Sequence, residues 1–149
     1  MIEIIPVGGY SEIGRNCTLV KWKDEAVLLD LGLMMENYVA LQEEYEDVRK
    51  GIPRSVLIRE QAVPDLDSLP DEVKHIKAVC ISHAHLDHVG AVPFFINKIN
   101  APVYGTRFTI EVLKALLEDK RKGSSEKLIV KKENSKFKGA GCPCSTTWA

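Results

Sequence analysis

Hydrophobic and polar positions alternate in short stretches over residues 2–30, then shift to longer, helix-like spacing. Residues 2–7 (Ile-Glu-Ile-Ile-Pro-Val) predict a first strand ended by Gly8-Gly9. A turn-rich loop, Tyr10 to Asn16, leads to a second strand, Cys17 to Trp22, and Lys23-Asp24-Glu25 turns it into a third, Ala26 to Asp30. These three strands predict an antiparallel meander. Tyr38 to Lys50 reads as a polar, acidic helix ended by Gly51. Pro53, Pro64 and Pro70 then punctuate what reads as an irregular surface excursion. Ile76 to Ser82 is short, apolar and β-branched, the pattern of a buried strand. Val89 to Ile99 has apolar residues at helical spacing. Ala101 to Gly105 predicts another strand, Thr106 an N-cap for an amphipathic helix running to about Lys122, and Leu128 to Val130 a last strand. Alternation of strand and helix from Ile76 onward indicates a sheet covered by helices, an α/β (α+β) arrangement.

Composition bounds this picture. At 149 residues, 45% hydrophobic and 28% charged, the chain is one soluble globular domain or a large piece of one. No apolar run approaches the roughly 20 residues of a membrane span, so no membrane partner is expected. The opening residues carry no basic-then-apolar signal pattern. The four cysteines (Cys17, Cys80, Cys142, Cys144) are scattered and suggest no disulfide framework, which points to a reducing cytoplasm. Net charge is −1, but it is unevenly distributed. Residues 36–72 hold ten acidic and four basic residues; residues 107–138 hold ten basic and five acidic. The basic stretch, with Lys120-Arg121-Lys122 and Lys131-Lys132, could follow a phosphate backbone or be a solvated surface.

The densest chemistry is His83-Ala-His85-Leu-Asp87-His88, which holds three of the four histidines between the predicted strand and helix. Neutral imidazole is the commonest metal ligand, and zinc accepts nitrogen and carboxylate oxygen. In an extended turn His83 and His85 point the same way, because side chains alternate, and both can reach one ion. Asp87 and His88 fall at the helix start, displaced towards a second. Two metals about 3.5–4 Å apart can clamp both the attacking and the leaving oxygen of a phosphoester. The plainer reading makes these turn histidines and Asp87 a helix N-cap. Asp30 ends a strongly apolar strand, where a carboxylate is costly to bury unless it is paired. It is either a carboxylate that orients a ligand histidine or a turn residue before Gly32. The loop at residues 8–16 is glycine-rich without phosphate-loop spacing, a tight connection or a ligand contact. His75, beside Lys74 and Lys77, reads as a surface histidine.

Asp30-Leu-Gly followed by His83-x-His85-x-Asp87-His88 and a helix resembles the first two signature motifs of the metallo-β-lactamase superfamily. Gly8-Gly9-Tyr10-Ser11-Glu12-Ile13-Gly14-Arg15-Asn16, with Leu29-Asp30-Leu31-Gly32 and Val63-Pro64-Asp65, is similar to the N-terminus of the archaeal-type ribonuclease J family, in the β-CASP group of RNA-processing nucleases. The resemblance covers Met1 to about Lys138. It implies an αββα sandwich holding two zinc ions, with His83 and His85 on the first, Asp87 and His88 on the second, and Asp30 buttressing the site. It further implies Asp87 and His88 as catalytic residues, RNA as the partner, and a metal-bound hydroxide cutting the phosphodiester, chiefly from the 5′ end.

A complete site of that family needs a third histidine on the first zinc, a bridging aspartate and another histidine on the second. No histidine follows His88. Residues 1–138 are therefore expected to be the N-terminal half of the sandwich, with weakened or no metal binding and little or no activity alone, and 139–149 an irregular tail foreign to it. An exposed half-sandwich predicts a homo-oligomer or exchanged dimer. A glyoxalase- or lactonase-type hydrolase and a non-catalytic RNA-binding module are the alternatives.

Overall fold

The computed structural model describes residues 1–45, 51–119 and 125–132. Strands β1 (Ile2–Gly8), β2 (Cys17–Trp22) and β3 (Glu25–Leu29) form the expected antiparallel meander. After helices α1 (Met35–Glu44), α2 (Arg54–Arg59) and α3 (Pro70–Lys74), β4 (Ile76–Cys80) pairs in parallel with β3. Short helices α4 (Leu86–Val89) and α5 (Val92–Phe95) lead to β5 (Val103–Gly105), then α6 (Arg107–Asp119) to β6 (Leu128–Val130). The result is one six-stranded sheet in sequence order, antiparallel at one edge and parallel through the rest. Parallel pairs need crossovers, and the helices supply them.

Alternation sorts the sheet into two unlike faces. Leu19, Leu28, Val79 and Val103 point to the helical side and join Leu57, Phe95, Ile110 and Leu113 in a core without solvent access. Burying each such aliphatic side chain contributes on the order of 1.5–3 kcal/mol. The register places Ile2 and Ile4 opposite Trp22 and Val20 on the other face, continuing through Val27 and Leu29 to Tyr104 and Ile129. No helix among the described residues covers this second face. Ile2, Ile4, Leu29 and Ile129 are between 36% and 66% exposed.

Three expectations are corrected. Residues 53–75 are not an irregular surface excursion: Leu57, Ala62, Val63 and Leu66 are fully buried. Two of their three prolines stand at helix starts rather than merely breaking structure. Pro53 precedes α2 and Pro70 is the first residue of α3, where a missing N–H costs nothing. The helix expected over 89–99 begins three residues earlier and is split into α4 and α5. The Ala91 N–H donates to the Leu31 carbonyl at 3.0 Å instead of continuing a helical ladder, and Pro93 has no N–H to give. Helix α1 starts at Met35 rather than Tyr38, and residues 46–50 lie outside the described residues. Thr106 does cap α6, its Oγ1 accepting from the Thr109 N–H at 3.3 Å. Lys120-Arg121-Lys122 and the tail at 139–149 also lie outside the described residues. No helix among the described residues is long and apolar enough to cross a membrane.

Candidate metal centre

The cluster sits where the parallel strands end, on the turn between β4 and α4. Three loops are knotted together beneath it by main-chain hydrogen bonds. Leu31 N–H donates to His88 O at 2.8 Å, Leu33 N–H to Leu86 O at 2.9 Å, Asn16 N–H to Asp87 O at 3.0 Å and Gly32 N–H to Asn16 O at 3.0 Å. Gly32 is required at this crossing. A Cβ there would stand 1.6 Å from the Asp87 carbonyl oxygen and 2.7 Å from Asn16 N.

Asp30 emerges from β3 with a left-handed backbone (φ 58°) that turns its carboxylate towards β4. Its Oδ1 accepts from the Ser82 N–H at 2.7 Å, and its Oδ2 lies 2.9 Å from both Ser82 Oγ and His88 Nδ1. An ionised carboxylate only accepts, so both of these partners donate to it. His88 is then protonated on Nδ1 and carries its lone pair on Nε2. With its own proton given to Asp30, Ser82 Oγ accepts from His83 Nδ1, 3.0 Å away. That leaves His83 with its lone pair on Nε2 as well. One carboxylate thus sets the tautomer of two histidines, one of them through a serine hydroxyl. The negative charge is also felt below the site. Burial first, and Asp30 second, push the Cys80 thiol up to about 12 and raise that of Cys17 further. Both are inert, buried thiols.

The donor atoms fall into two pairs. His83 Nε2 faces His85 Nδ1 at 2.9 Å, with the rings edge to face. His88 Nε2 stands 3.4 Å from Asp87 Oδ2. Two atoms sharing one tetrahedral zinc, each about 2.0–2.1 Å from it, are about 3.3–3.4 Å apart. The second pair has that spacing; the first, at 2.9 Å, is a hydrogen bond in which His85 Nδ1 donates to His83 Nε2. Among the described residues no three histidine, cysteine or acidic side chains are arranged around one point. Each pair therefore brings together two side chains of metal-binding type, fewer than the three or four protein ligands of a zinc site. Asp87 is not an N-cap: His85 occupies that position of α4, with no capping side chain, and Asp87 lies within the first turn. His75 is remote from the cluster, its Nδ1 bonded to the Asp24 carbonyl at 2.8 Å.

Two residues at the site were not anticipated. Ser82 directly precedes the motif, and adjacency was the one available signal. Asn16 ends the 8–16 loop, and its Nδ2 lies 3.0 Å from Asp87 O, 3.2 Å from Asp87 Oδ2 and 3.2 Å from His88 Nε2. In the same loop Glu12 forms a two-pronged pair with Arg15, and that hydrogen bond holds its carboxyl below the usual range.

The family model described as "Metallo-beta-lactamase superfamily" matches residues 11–142. The chain belongs to the metallo-β-lactamase superfamily. Among curated relatives, ribonuclease J of Methanocaldococcus jannaschii is 38% identical over 130 residues, covering 87% of this chain and 28% of that protein. Ribonuclease J of Thermus thermophilus is 37% identical over 123 residues, covering 79% and 19%. Ribonuclease J of Pyrococcus abyssi is 36% identical over 117 residues, covering 77% and 25%. The chain thus spans little more than a quarter of these relatives at most. Solved structures agree on the fold. A protein of unknown function from Enterococcus faecalis superposes with a TM-score of 0.61 at 22% identity, over 92% of this chain and 35% of that one. The subclass B3 metallo-β-lactamase BJP-1 of Bradyrhizobium japonicum gives 0.51 at 15% identity, over 86% and 43%.

Proposed function

We propose that residues 1–138 are the N-terminal half of the catalytic domain of a zinc-dependent ribonuclease of the ribonuclease J type, acting on RNA in the cytoplasm. The observation that carries this reading is the pairing of donor atoms, His83 with His85 and Asp87 with His88, on a scaffold whose curated relatives are ribonucleases J. His83 and His85 would hold one zinc, and Asp87 and His88 the other. Asp30 would keep both Nε2 atoms unprotonated through direct and Ser82-relayed hydrogen bonds. Zinc bound there would polarise a phosphodiester and lower the pKa of a water molecule. Digestion from the 5′ end and a β-CASP domain as the far wall of the RNA cleft belong to the same reading. The four ligands of this chain are too few for a complete two-metal site. On this reading the chain alone is inactive and its bare sheet face self-associates.

Zinc titration of the metal-free chain, followed by elemental analysis, tests the metal centre. Binding that is lost in His83→Ala and in Asp87→Ala is expected; unchanged uptake in both variants would sink the assignment. The substrate class is decided on the full-length protein. Cleavage of 5′-monophosphorylated RNA is expected, whereas thioester hydrolysis without RNA cleavage would point to a glyoxalase-type enzyme. RNA binding that persists after chelation and in His85→Ala would instead mark a non-catalytic binding module.

A further inference from the structure

Asn16 lies far from the histidine motif in sequence, yet its side chain ends on Asp87 and His88. The backbone clamps it from both sides, its N–H on the Asp87 carbonyl and its own carbonyl on the Gly32 N–H, each at 3.0 Å. Chemistry fixes which end of the amide turns inward. Its Nδ2 is surrounded by Asp87 O at 3.0 Å, Asp87 Oδ2 at 3.2 Å and His88 Nε2 at 3.2 Å. All three are acceptors, because His88 keeps its proton on Nδ1 and donates it in a hydrogen bond to Asp30. The reversed amide would turn an oxygen towards the two Asp87 oxygens.

We propose that Asn16 is a positioning residue for the candidate metal centre, its amide holding the Asp87 carboxylate and the His88 ring in the relative orientation that lets them share an ion. His88 is thereby gripped at both nitrogens, by Asp30 at Nδ1 and Asn16 at Nε2, and Asp87 at both its carboxylate and its carbonyl. The half-buried pair is ordered before any ion arrives, so less conformational freedom is lost on binding. The bond to His88 Nε2 yields to an incoming ion, while those to Asp87 need not. This inference rests on the reading of the cluster as a metal centre.

The test uses the metal-free chain, wild type and Asn16→Ala, with backbone amide spectra as the check on folding. Long-range proton–nitrogen NMR of the histidine rings reads the His88 Nε2 environment directly. In Asn16→Ala the His88 ring nitrogens are expected to shift while those of His75 stay. Zinc titration should then show about 10–100-fold weaker binding at the Asp87–His88 pair, with binding by His83 and His85 unchanged. Asn16→Leu has nearly the same shape but no N–H to donate, and should show the same ring shift. Unchanged His88 signals in a folded Asn16→Ala chain would overturn the proposal. So would loss of folding in both variants, which would assign Asn16 to loop closure alone. If zinc binds neither protein, the metal reading fails, and the ring signals still decide whether Asn16 orients His88.

Discussion

At the residue scale, the site depends as much on what is small as on what is reactive. Gly32 lies where the chain segments carrying Asn16, Asp30 and Asp87 cross, and an added methyl group would meet backbone atoms that cannot move aside. Gly32→Ala should cost more than about 4 kcal/mol, or prevent folding altogether. Gly51 also has a left-handed backbone (φ +70°), but nothing lies within 4 Å of a Cβ there. Gly51→Ala should cost only about 1–2 kcal/mol of backbone strain. Urea unfolding of the two variants measures the contrast, and equal losses would refute the crossing argument. The clustering of the histidines and Asp87 was legible in the sequence because it follows from residue type and short spacing. Ser82 and Asn16 were not, since hydroxyl and amide side chains take partners wherever the fold brings them.

At the element scale, the segment carrying α2 and α3 is fastened to the rest by charge as well as by burial. Lys98 pairs with Asp67 and donates to the Leu66 carbonyl at 3.2 Å, while Arg54 approaches Asp67 at 3.3 Å. Burial alone would raise the Asp67 pKa, but the Lys98 hydrogen bond and the charges of Arg54 and Lys98 outweigh it and hold the carboxyl below 3.8. Glu12, bonded to Arg15, is likewise held below 4.5. A carboxylate with a depressed folded pKa contributes stability that is present above its unfolded pKa and is lost as pH falls through the folded one. The thermal midpoint should therefore drop on acidification from about pH 5 to about pH 2. Lys98→Met should begin lower at neutral pH and lose less over the same range. Parallel acid limbs for the two proteins would show that this pair contributes nothing. Periodicity found the strands of the meander and the amphipathic α6, whose patterns are strong. It joined α4 to α5 because the break is made by an Ala91 N–H directed at Leu31, and apolar spacing carries no record of where a backbone N–H points.

At the scale of the whole molecule, helices cover only one side of the sheet among the described residues. The row from Ile2 and Ile4 through Val20 and Val27 to Ile129 is apolar, and β1 leaves a free strand edge among the described residues. Surfaces of this kind associate. The isolated chain should sediment as a dimer or larger species at high concentration, and Ile4→Lys should shift it towards monomer with little change in thermal midpoint. A monomer at every concentration would argue that the face is tolerated bare. The sequence by itself determined the local grammar: alternation made strands, the His-x-His-x-Asp-His spacing gathered histidines and an aspartate on one turn, and apolar Leu28-Leu29 before Asp30 placed a carboxylate at a strand end. Each of those signals acts between near neighbours, where residue type decides conformation. Only the tertiary structure decided that Leu57, Ala62, Val63 and Leu66 are core, that one carboxylate sets two histidine tautomers, and that Asn16 meets Asp87 and His88. These outcomes depend on main-chain bonds and close approaches between distant segments. Almost any residue can make such bonds, so residue type leaves no trace of them until the sheet has brought the loops together.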